Sequence, residues 1–184
     1  EQIMMQKVVL AIINLIFGSM VLLSYYYGVK KFKGMGKDPV QLWGGVPDTL
    51  QPYIVAFMFV GAVGYFFFTY NFLFKINTDK VFLGIFNYSS LHFLYLLVFL
   101  PSMIWIGLTI DYVDSSRTTF DWAVIVVVLF TVAISSILLL LFTIDSKAES
   151  GSMYMASVTG AALFTFHTLF LDALLWTTFF HKTN

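Results

Sequence analysis

Five long apolar runs, at about 8–29, 52–74, 91–113, 122–144 and 154–180, occupy most of the chain and leave only short polar segments between them. An α-helix rises about 1.5 Å per residue, so each run is long enough to cross a hydrocarbon core about 30 Å thick. Backbone groups in lipid need hydrogen bonds within their own segment. The runs are also too long and too continuous for the alternating strands of a barrel. The sequence therefore predicts an all-α, polytopic membrane protein: a bundle of five transmembrane helices forming one domain over residues 1–184. A mean hydropathy of +0.86 lies well outside the balance of a soluble domain. No internal repeat is evident, and an odd number of spans argues against two equal halves.

Composition removes several functional classes. Ten basic and ten acidic residues leave no net field to draw nucleic acid, so no nucleic-acid partner is expected. The absence of cysteine excludes disulfides, thiolate metal sites, iron–sulfur clusters and cysteine nucleophiles. The chain opens on Glu1, which suits a processed or truncated product. Its first run, Val8 to Val29, is too long for a signal segment and reads as a true span.

The most informative stretch is Thr165 to Trp176, TFHTLFLDALLW, because it sets the two most polar intramembrane candidates inside the last apolar run. His167 falls near the centre of that run, and Asp172 lies roughly 7 Å further along the axis. A charged side chain at the bilayer centre costs about 2.5–3.5 kcal/mol on insertion scales. Asp172 must therefore be neutral, paired, or turned towards protein or water. Ser157, Ala161, Thr165, Thr168, Asp172 and Trp176 follow one another at three- or four-residue steps, forming a small and polar stripe that should face inward. In an α-helix, five residues at about 100° each put His167 some 140° from Asp172. Thr168 is then the better local partner for Asp172, and His167 needs a partner from elsewhere. The predicted intramembrane site is Asp172, His167, Thr168 and Thr165.

The other spans carry fewer signals. Tyr25, Tyr26 and Tyr27 precede Lys30, Lys31 and Lys33, an interfacial anchor followed by a basic collar, with a lipid headgroup site as the alternative reading. The first loop, Gly34 to Pro52, is rich in glycine and proline, and its Trp43 lies either at the interface or over the end of the bundle. Its Gly36-Lys37 lacks the earlier glycine and the following hydroxyl residue of a phosphate loop. Gly61, Ala62 and Gly64 allow a close helix crossing in the second span, which then fills with aromatics. Asn77, Thr78 and Asp79 predict a short interfacial helix, or an early start to the third span from Lys80. Pro101 predicts a kink in that span, freeing the Leu97 carbonyl as a contact for His167 or Asp172. Spans four and five should pack antiparallel through their hydroxyl and small-residue faces.

No catalytic motif is present, and the three histidines fall at different expected depths, so neither a metal nor another cofactor is expected and an enzyme is disfavoured. Val63-Gly64-Tyr65 sits within a long apolar helix and not in a channel filter loop. Lysines and arginines number six on the side of the first loop, third loop and C-terminus, against four opposite, which favours an outside N-terminus and an inside C-terminus. Two functions fit these features. One is movement or binding of a proton, an ion or a small amphipathic molecule at the polar site of the fifth helix. The other is a non-catalytic accessory or scaffold subunit of a larger membrane complex. Membrane lipids, and either a homo-oligomer or other membrane subunits, are the expected partners.

Overall fold

The structure is a computed structural model describing residues 2–80, 82–84, 86–115, 117–146 and 151–182. Five helices dominate it: α1 (Gln2–Gly34), α2 (Gln51–Tyr70), α3 (Ser89–Asp114), α4 (Thr119–Asp145) and a fifth helix that begins as α5 (Gly151–Thr165). Two of them change register. α2 runs on as a π-helix over Asn71–Lys75, and α5 continues as a π-helix over Phe166–Trp176 before a last α-turn at Thr177–Phe179. All five are long and apolar enough to cross a membrane, each overrunning the predicted apolar limits by a few residues at one or both ends except for the last end of the fifth. Polar residues set some of these ends. The Thr118 hydroxyl accepts the Asp121 N–H at 3.1 Å and starts α4, with Asp121 favourably placed in the first turn.

The second loop departs from expectation. A short helix does form, but as a single 3-10 turn at Thr78–Lys80 and not running on from Lys80; it leads into a two-stranded hairpin, β1 (Phe82–Leu83) against β2 (Phe86–Asn87), and α3 starts only at Ser89. Gly84, at φ +61°, takes the left-handed conformation that the reversal needs and that costs glycine little. Asn77 spends its side-chain oxygen on the Asp79 N–H within the turn. Lys147, one of the four basic residues assigned to the side opposite the first loop, lies outside the described residues.

α1 packs on α3, α3 on α4, α4 on the fifth helix, and the fifth helix on α2. The tightest crossing is between Gly64 of α2 and Gly160 of α5. A β-carbon on either would come within 2.4–2.5 Å of the other's carbonyl oxygen. α1 and α2 share no broad interface. They meet in the half nearer the second loop, where the Tyr65 hydroxyl, close to the middle of α2, donates to the Asn14 side-chain oxygen and α1 rests on Asn71–Lys75.

The opposite end is closed by the first loop. Trp176 Nε1–H donates to the Leu42 carbonyl at 3.2 Å, the Gly45 N–H donates to the Phe180 carbonyl at 3.0 Å, and Lys37 pairs with Asp114. The loop thus caps the bundle, with Leu42 and Val46 buried against Trp176 and Phe180. Trp43 ends its short 3-10 helix, Pro39–Trp43, and packs at the margin of that cluster.

Candidate functional site

The predicted stripe on the fifth helix is real. Ser157, Ala161, Thr165, Thr168 and Trp176 are all buried. Thr165 and Thr168 serve the α4 interface: the Thr165 hydroxyl donates to the Ser136 carbonyl at 3.0 Å, and the Thr168 and Ser136 hydroxyls lie 2.7 Å apart. Thr168 also reaches back to the carbonyls of Phe164 and Thr165. It is therefore not the partner of Asp172, and that expectation is corrected.

His167 takes that place. Its Nε2 lies 3.3 Å from Asp172 Oδ2, although an α-helix would hold the two side chains on different faces. The reason is the π-register of Phe166–Trp176. A π-helix bonds each residue to the one five positions along and turns less per residue, so residues five apart share a face far more nearly than in an α-helix. The Leu97 carbonyl beside Pro101, expected as a contact, is not used. Pro101 lies within α3, and His167 turns to Asp172 while its Nδ1 is buried without a partner.

The surroundings of the pair come from three further helices. Gly61 of α2 passes beside the His167 β-carbon, 3.4 Å from where its own β-carbon would be, so a small residue there makes room for the imidazole. Tyr25 of α1 lies within electrostatic range of Asp172. It stacks on Trp105 of α3 with ring centroids 5.7 Å apart, and Trp105 in turn meets Trp176 edge-on at 5.4 Å. The Trp105 indole N–H is buried and unpartnered. His167 thus meets α2 while Asp172 acts on α1, two helices that share no broad interface. The His167 side chain is 12 % exposed, and that of Asp172 34 %.

Tyr25 and Trp105 were missing from the predicted site. Both read as boundary aromatics, because tyrosine and tryptophan near the ends of apolar runs usually mark the interface. Tyr26 and Tyr27 are exposed, as such a role requires, whereas Tyr25 is half-buried. The remaining histidines lie elsewhere. His92 Nε2 contacts the Gln6 carbonyl at 2.8 Å near the second loop, and His181 Nε2 lies 2.7 Å from the Tyr112 hydroxyl at the capped end.

Fold and site together define a class, that of multi-pass helical membrane proteins, here with a His–Asp pair within the fifth span. No protein family, curated protein or solved structure matches the chain.

Proposed function

We propose that the protein binds a small amphipathic cation at Asp172 and exchanges it for a proton. The observation that carries this reading is the His167–Asp172 contact made by the π-register, with a third of the carboxylate side chain left accessible. An imidazole and a carboxyl group sharing one proton are neutral together, wherever the proton sits. An arriving ammonium group keeps the site neutral only if that proton leaves, so cation and proton replace one another. Charge neutrality matters here because an uncompensated charge at this depth costs several kcal/mol. Tyr25 and Trp105 supply aromatic faces of the kind that favour a cation once it is desolvated. The apolar walls around them suit an alkyl tail.

Octylamine is a suitable probe, with octanol as its uncharged control, and the intrinsic tryptophan fluorescence is a suitable reading on the purified protein in detergent. A saturable change with octylamine and none with octanol is expected. Asp172→Asn should weaken octylamine binding by about tenfold, the loss of one charge-assisted contact. Unchanged binding in that variant would end this reading.

A further inference from the structure

A second site lies on the outer surface of the bundle, between α1 and α3. These two helices run parallel, since Gln6 of α1 meets Ser89 and His92 at the start of α3. Gly28 lets them close, its missing β-carbon lying 3.0 Å from Ile106, whereas a β-carbon at Gly107 would meet nothing within 4 Å. Between them is a groove of about 340 Å³, walled by Met103 and Ile104, with Gly107 opening its floor and with Lys31 and Asp111 together at the end nearest the first and third loops. From Ser24 to Lys31 it extends along α1 for about 10 Å. Lys31 and Asp111 are both exposed, and neither belongs to an ion pair among the described residues.

We infer that this groove binds a zwitterionic phospholipid carrying a primary amine, of the phosphatidylethanolamine type. An anionic ligand would satisfy Lys31 and be repelled by Asp111. A headgroup with a phosphate and an ammonium offers each charge its complement, and the ammonium donates hydrogen bonds to the carboxylate that a quaternary amine cannot. The apolar walls below then take the first part of an acyl chain. Such a lipid lies at the helix ends, where Tyr26 and Tyr27 are also exposed as interfacial anchors.

The test is native mass spectrometry of the delipidated full chain, offered phosphatidylethanolamine, phosphatidylglycerol or phosphatidylcholine with identical acyl chains. Phosphatidylethanolamine should be retained about tenfold better than phosphatidylglycerol. Asp111→Asn should abolish that preference. Gly107→Leu, which adds a side chain into open space on a helix that tolerates leucine better than glycine, should remove retention of all three lipids. Equal retention of the ethanolamine and glycerol lipids by the unaltered chain overturns the proposal. So does an undiminished preference in Asp111→Asn, or full retention in Gly107→Leu.

Discussion

Thr168 and Asp172 stand about one turn apart on the fifth helix and divide its work between them. Thr168 is buried and spends its hydroxyl on Ser136 and on its own backbone. Asp172 is half-buried, with His167 against one carboxylate oxygen. Interhelical hydroxyl bonds in membranes contribute modestly, so Thr168→Val should lower stability to thermal or denaturant unfolding in detergent by about 1 kcal/mol. The same variant should bind octylamine as the unaltered protein does. A Thr168→Val protein that loses the amine would mean that the threonine belongs to the site and not to the interface. The stripe carrying both residues was legible in the sequence, because small and hydroxyl residues recur at helical spacing. The contact between His167 and Asp172 was not, because the spacing argument assumes about 100° per residue and nothing in TFHTLFLDALLW marks a change to π-register.

Among the elements, α2 and the fifth helix depend most on shape. At Gly64 and Gly160 the backbones come so close that an added β-carbon would strike a carbonyl, and a carbonyl held within a helix cannot turn aside. Gly160→Val should cost at least about 1–3 kcal/mol, read as a fall in the midpoint of thermal unfolding in detergent. A variant as stable as the parent would show that the two helices can separate freely. Gly61 and Gly64 announced this crossing in the sequence, since small residues are what such approaches require. The hairpin before α3 was harder to foresee. Asn77, Thr78 and Asp79 are helix-capping types, and the same chemistry also builds turns. Gly84 settled which of the two forms here, by taking a left-handed conformation that reverses the chain. The five spans themselves were legible throughout, because length and apolarity alone decide what a bilayer accepts. Which tyrosine of Tyr25, Tyr26 and Tyr27 turns inward depends on α3 supplying Trp105 to receive it. That is a tertiary fact and leaves no trace in α1.

At the scale of the whole molecule, the bundle is sealed at one end by the first loop and tied near its middle through Asn14 and Tyr65, while α1 and α2 share no broad interface between these ties. On the proposed function, a compound reaching Asp172 by that flank arrives from the acyl chains and not from the aqueous phase. The bilayer then acts as the reservoir, and the concentration that governs occupancy is the one dissolved in it. Across a series of primary alkylamines assayed in vesicles, apparent affinity should rise with tail length in step with the oil–water partition coefficient, by about 0.8 kcal/mol per methylene. Dividing by the amount dissolved in the lipid should collapse the series onto nearly one value, whereas a water-filled route would leave the short and long amines apart.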